Sequence, residues 1–146
     1  MIQRQIIPIV RKLARQYPVV TLFGPRQSGK TTVVRDVFPR YGYVNLENRE
    51  DRELASSDPK AFFSNHPAPV ILDEIQHVPE LASAVQVLVD ERRHDMGRFI
   101  LTGSHQPLLA ETVSQSLAGR TAVLDLFPPT LAELGKSLSA TATDAL

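Results

Sequence analysis

Short apolar runs separated by polar stretches set the outline of this chain. Residues 18–23, 41–46, 70–73, 98–102 and 121–126 are rich in Val, Ile, Leu, Phe and Tyr and are too short for buried helices, so they read as strands. Val70-Ile71-Leu72-Asp73 is apolar at each position until its closing carboxylate, the pattern of a parallel strand covered on both faces. Between these runs the spacing becomes helical. Ile6, Ile7, Val10, Leu13 and Ala14 recur on one face, with Arg4, Arg11, Lys12 and Arg15 between them. That predicts an amphipathic helix over 2–16, ending before Tyr17-Pro18 and packed on the core with its basic residues in solvent. Further helices are predicted over about 30–38, around 58–63, over 79–93 and over 107–118, with the polar stretch from Glu47 to the second of these read as a loop.

Strands alternating with helices imply an α/β fold: a parallel sheet with helices on both faces. Ligands in such sheets bind beyond the carboxyl ends of the strands. The chemistry-bearing residues should therefore collect at one edge, where the segments after residues 23, 73 and 102 meet.

The segment after the first strand is Gly24-Pro25-Arg26-Gln27-Ser28-Gly29-Lys30-Thr31-Thr32. It fits G-x-x-x-x-G-K-[ST] at each fixed position and lies between a strand and a helix, the context a phosphate-binding P-loop requires. Gly24 and Gly29 let the backbone turn tightly and bring N–H groups against a phosphate. The helix N-terminus adds unpaired N–H groups and positive dipole charge. Lys30 supplies a point charge for the β- and γ-phosphates, and the Thr31 hydroxyl is a ligand suited to Mg²⁺. Arg26 and Gln27 are expected to contribute mainly backbone N–H groups.

The apolar strand ending in Asp73 is followed by Glu74. An acid at such a strand end holds Mg²⁺ directly or through water. A second carboxylate one residue on can polarise an attacking water as general base, which a small-molecule kinase does not need. The competing reading makes both acids caps of the next helix. Leu101-Thr102-Gly103-Ser104 offers hydroxyls at a third strand tip. Ser104 is the first candidate for contact with the γ-phosphate or the lytic water, and Thr102 the second. An ordinary helix cap is the alternative for either. Arg120, just before the last strand, is a candidate arginine finger acting on a neighbouring molecule's nucleotide, or else a surface ion pair. Arg98 enters its strand at the far end and is a weaker candidate. The four histidines lack the close spacing of a metal cluster, and His77 reads as a rim residue.

Composition narrows the partners. The 146 residues suffice for one domain with a core. Sixteen basic and sixteen acidic residues cancel, which gives no field for nucleic acid or anionic membrane. Without cysteine there is neither a disulfide framework nor a thiolate metal site. No apolar run approaches the roughly 20 residues that span a bilayer, and the first residues lack the apolar core of a signal peptide. A soluble, cytoplasmic protein is expected.

Taken in order, Pro18-Val19-Val20, the P-loop, Tyr43-Val44-Asn45-Leu46, Val70-Ile71-Leu72-Asp73-Glu74-Ile75-Gln76, Leu101-Thr102-Gly103-Ser104 and Ser116-Leu117-Ala118-Gly119-Arg120 resemble the prokaryotic AAA-type ATPases of the AAA_14 family. The resemblance covers about residues 1–134. It implies a P-loop NTPase three-layer sandwich with a five-stranded sheet of order 5-1-4-3-2. It also implies ATP or ADP, Mg²⁺ and hydrolysis at Lys30, Thr31, Asp73 and Glu74. Family members usually continue into a lid and a C-terminal DUF4143 domain. Here the match gives way after residue 134 to an Ala/Ser/Thr-rich stretch, 135–146, expected to be disordered. Slow hydrolysis by a bare ATPase core is therefore expected, assisted in a homo-oligomer by Arg120 in trans. The alternative is a nucleotide-dependent binding or regulatory module with little or no hydrolysis.

Overall fold

Alternation along the strands decides where the helices pack. In the computed structural model, which describes residues 2–25 and 29–126, the five apolar runs form β1 (Val19–Phe23), β2 (Gly42–Asn45), β3 (Val70–Asp73), β4 (Phe99–Gly103) and β5 (Thr121–Asp125). Their order across the sheet is β2-β3-β4-β1-β5, and each neighbouring pair is parallel. This is the order that the family resemblance implied, read from the other edge.

Successive side chains of a strand point to opposite faces. Val20, Leu22, Ile71, Ile100 and Leu124 therefore share one face. There they meet α1 (Ile2–Gln16) through Ile6, Val10 and Ala14, and α2 (Lys30–Val37) through Val33, Val34 and Val37. Val19, Phe23, Val70, Leu72, Phe99 and Leu101 face the other way. They are covered by α3 (Arg49–Ser57), α4 (Pro59–Asn65), α5 (Leu81–Glu91) and α6 (Pro107–Ser116), chiefly through Phe62, Phe63, Leu81, Val85, Leu109 and Val113. Each such fully buried aliphatic or aromatic side chain stabilises the fold by about 1.5–3 kcal/mol. The result is three layers with the sheet in the middle.

The sequence reading misjudged the polar stretch after Glu47. What was read as a loop is α3. The Asn48 Oδ1 accepts the Asp51 N–H at 3.1 Å, and Glu50 and Asp51 sit in the first turn, where carboxylates favour the positive helix end. Ala55 is the one fully buried contact of α3, too little apolar surface to show as a periodic pattern. Asp58 then ends α3 and caps α4, its Oδ1 accepting the Ala61 N–H at 3.1 Å. The predicted 79–93 helix is shorter, α5 alone, preceded by a single 3₁₀ turn at Ile75–His77. Pro8 lies inside α1, whose packed face outweighs the missing N–H. Residues 127–146, including the expected disordered stretch, lie outside the described residues.

Candidate functional site

The loop that follows β1 is shaped by its two glycines. Gly24 extends the sheet pairing by donating its N–H to the Gly103 carbonyl at 3.1 Å. Gly29 has φ of 89°, the left-handed region open to glycine without a Cβ penalty, and it is the N-cap of α2. Lys30 starts that helix and is 2% exposed. Its Nζ donates to the Gly24 and Pro25 carbonyls at 3.0 Å each, so the cation sits inside the loop it serves. Arg26, Gln27 and Ser28 lie outside the described residues. Thr32 is on the exposed side of α2, whereas Thr31 points toward β3.

Strand alternation brings Asp73 to meet it. Asp73 continues the Ile71 face of β3, and Thr102 continues the Ile100 face of the adjacent β4. Thr31 Oγ1 donates to Asp73 Oδ2 at 2.8 Å, and Thr102 Oγ1 donates to Asp73 Oδ1. Tyr43, on β2, adds a third hydroxyl, donating to Asp73 Oδ2 at 2.5 Å. Burial, followed by the hydrogen bond to Asp73, pushes the Tyr43 phenol above its usual range, so it remains a donor. Arg35 of α2 stacks over its ring at 4.2 Å from the centroid. Asp73, 1% exposed, is thus a buried carboxylate held by three hydroxyl donors. The Thr31–Asp73 pair is a hard-oxygen donor set of the kind Mg²⁺ accepts. Among the described residues no group of three or more His, Asp or Glu is arranged to hold a metal alone. A cation here would therefore draw most of its ligands from phosphates and water.

The Glu74 side chain caps no helix. It is the N-cap position of the 3₁₀ turn but makes no side-chain cap bond, and its φ is 63°, a left-handed conformation costly for a residue with a side chain. Such strain costs about 1–3 kcal/mol and concentrates at functional sites. Here the Glu74 N–H donates to Thr102 Oγ1 at 3.0 Å, which helps to hold the turn. The carboxylate, in a residue 7% exposed, accepts Gln76 Nε2 at 2.6 Å on Oε1. Gln76 Oε1 in turn accepts the Ser104 N–H at 3.2 Å. Ser104 is no cap either, since the N-cap of α6 is Gln106. Its Oγ is buried with no hydrogen-bond partner among the described residues, whereas Thr102 is committed to Asp73.

Arg120 stands apart from this cluster. It precedes β5, so a five-residue strand, about 16 Å in length, separates it from the carboxyl edge of its own sheet. Its guanidinium grips Asp90 of α5, with Nε to Oδ1 at 2.8 Å and Nη2 to Oδ2 at 3.0 Å. Arg98 is also at the far end, bonded to the Leu88 carbonyl at 2.7 Å. An open cleft of about 1220 Å³ lies there, lined in part by Arg11, Arg15, Tyr41 and Arg98, with none of the P-loop or β3-tip residues. His77 is exposed, with its Nε2 4.0 Å from Glu47 Oε2. Tyr43 and Gln76 were not singled out from sequence, because a tyrosine in a strand and a glutamine in a turn carry no signal of what they reach.

The AAA_14 family model, described as an AAA domain, matches residues 16–135. The chain belongs to the AAA_14 family. As a member of an AAA domain family it is a nucleotide-binding module of ATPase type. It is also 37% identical, over 131 residues, to the uncharacterized proteins Rv2008c of Mycobacterium tuberculosis and Mb2031c of Mycobacterium bovis. The aligned region covers 88% of this chain but 29% of each relative, so the chain spans less than a third of their length.

Proposed function

We propose that this AAA domain binds ATP and ADP with Mg²⁺ and hydrolyses ATP to ADP and phosphate. The observation that carries the reading is the 2.8 Å bond between Thr31 and Asp73, which joins the P-loop helix to the β3 tip beside a buried, strained Glu74. Lys30 and the backbone N–H groups of residues 26–32, with Arg26, Gln27, Ser28 and Thr32 among them, bind the phosphates, on a turn that Gly24 and Pro25 open. Thr31 and Asp73 hold the cation, which when bound supplies positive charge against the phosphate oxygens. Glu74 Oε2, the oxygen that Gln76 does not bond, takes a proton from water. As it does so, the water oxygen bonds to the γ-phosphorus and the bond to the β–γ bridging oxygen breaks, leaving ADP. Ser104 Oγ, once the bound nucleotide reaches it, donates to a γ-phosphate oxygen or orients the water. Burial of Asp73 and Glu74 strengthens each of these contacts by excluding water.

Glu74→Gln tests the reading. Glutamine keeps the shape but cannot accept the proton, and general-base catalysis is worth about 10²–10⁴-fold. Nucleotide affinity should persist within about threefold while phosphate release falls by at least 10²-fold. Full turnover in the variant would overturn hydrolysis through Glu74. Binding without phosphate release in the wild-type chain would favour the second reading, a nucleotide-dependent binding module. The Gln76 contact that occupies one Glu74 oxygen gives that reading its footing.

A further inference from the structure

Gln76 spans two groups that the proposed chemistry needs in register. Its Nε2 donates to Glu74 Oε1 at 2.6 Å, and its Oε1 accepts the Ser104 N–H at 3.2 Å. One planar amide therefore ties the β3-tip carboxylate to the β4 tip. The bridge is built into its surroundings. Ile75, fully buried, pins the 3₁₀ turn and so sets the direction in which Gln76 leaves the backbone. Gly103 clears the path: a Cβ there would lie 2.6 Å from Leu109 Cδ2, 3.3 Å from Ile75 Cγ2 and 3.4 Å from Gln76 Oε1. Glu74 itself is held in the left-handed region, and the turn it opens carries Gln76 back alongside the Glu74 carboxylate.

We infer that Gln76 is a positioning residue for hydrolysis, fixing Glu74 Oε1 so that Oε2 faces the lytic water in register with Ser104. This rests on the hydrolytic reading given above. An amide suits the task because it is a donor at one end and an acceptor at the other. Glutamate at this position would keep the acceptor for Ser104 but set a second carboxylate against Glu74. Leucine or methionine would fill the space and make neither bond. The bridge touches neither Lys30 nor the proposed cation ligands, and it meets Ser104 through the backbone N–H and not through Oγ, so its loss should fall on kcat and not on nucleotide affinity.

The test uses the whole chain in three forms, wild type, Gln76→Met and Gln76→Glu, with folding checked by circular dichroism. Phosphate release is measured across ATP concentrations, and ADP affinity by a fluorescent analogue. Hydrogen bonds to charged groups in such sites correspond to about tenfold or more in rate. Gln76→Met and Gln76→Glu should each lower kcat about tenfold or more, with KM and ADP affinity within about threefold of wild type. Unchanged or raised kcat would overturn the inference, a rise meaning that Gln76 restrains Glu74. A second readout needs no turnover. In ¹H–¹⁵N spectra of the nucleotide-free chain, the Gln76 side-chain amide should be displaced from the exposed-glutamine region, and should return toward it in Glu74→Ala. An amide resonance indifferent to Glu74→Ala would overturn the bridge even if the Gln76 variants failed to fold. Wild-type chain with no phosphate release would instead refute the hydrolytic reading while the spectrum still decided the bridge.

Discussion

Tyr43 and Thr31 converge on the same oxygen of Asp73, Oδ2, from two different elements of the fold. Thr31 belongs to the P-loop helix and Tyr43 to the edge strand β2. In the proposed mechanism the first contact marks the cation site. The second orients the carboxylate that the first depends on. Support of this kind around metal-ligating carboxylates is typically worth about 10–100-fold in metal affinity. Tyr43→Phe keeps the ring against Arg35 and deletes only the hydroxyl. It should raise the Mg²⁺ concentration needed for half-maximal ATP binding about tenfold, and lower unfolding free energy by about 1 kcal/mol. Fluorescent-nucleotide titrations at stepped Mg²⁺, with denaturant melts alongside, measure both. An unchanged Mg²⁺ requirement would make Tyr43 a packing residue.

Lys30→Ala isolates the P-loop contribution. Lys30 is buried with its ammonium against two loop carbonyls, and it starts the helix whose N-terminus is proposed to bind phosphate. Charge-assisted contacts of this kind contribute about 1.5–3 kcal/mol, so ATP and ADP affinity should drop tenfold or more. Isothermal titration of both nucleotides is the measurement. Equal affinities in wild type and variant would mean that the loop does not bind phosphate.

Much of this arrangement is legible in the sequence. The P-loop residues and the Asp73-Glu74 pair carry their chemistry in local spacing, and the five apolar runs became the five strands. What stayed hidden depends on residues far apart in sequence. Tyr43 meets Asp73 because β2 and β3 pair with Tyr43 opposite Ile71, two positions earlier on the same face. Gln76 meets Ser104 because a 3₁₀ turn folds it onto the β4 tip. α3 stayed hidden for a different reason. Its order comes from capping and one buried alanine, so a polar sequence concealed a helix.

The Asp90–Arg120 pair gives a pH signature. The Arg120 hydrogen bonds, followed by its charge, hold the Asp90 carboxyl below its ordinary value of 3.8, against the smaller opposing effect of desolvation. A carboxyl depressed in the folded state adds stability above its unfolded pKa, and that contribution is lost as pH falls through the folded value. Asp90→Asn should therefore melt slightly below wild type at neutral pH, with the gap closing once the pH drops below the ordinary carboxyl range. Melting midpoints across that series check the sign. A gap that widens toward acid would mean that the pair does not stabilise the fold.

Arg120 also tests whether the site is completed by a second molecule. Within one chain it stands at the amino end of β5, about a strand length from the carboxyl edge, so it serves no nucleotide of its own chain. A guanidinium there acts only on a neighbour packed against that end, and it would have to exchange Asp90 for phosphate. An arginine finger is worth about 10³–10⁵-fold in rate. If Arg120 acts in trans, specific activity should climb with protein concentration in wild type and stay low in Arg120→Ala. An equimolar mixture of Arg120→Ala and Lys30→Ala should regain activity, because one partner carries an intact P-loop and the other an intact arginine. Asp90→Asn separates this role from the structural one. It releases the guanidinium while keeping it in place, so it should retain concentration-dependent turnover that Arg120→Ala lacks. Activity per molecule that is flat with concentration, with no rescue in the mixture, would leave Arg120 as the partner of Asp90 alone, tying β5 to α5.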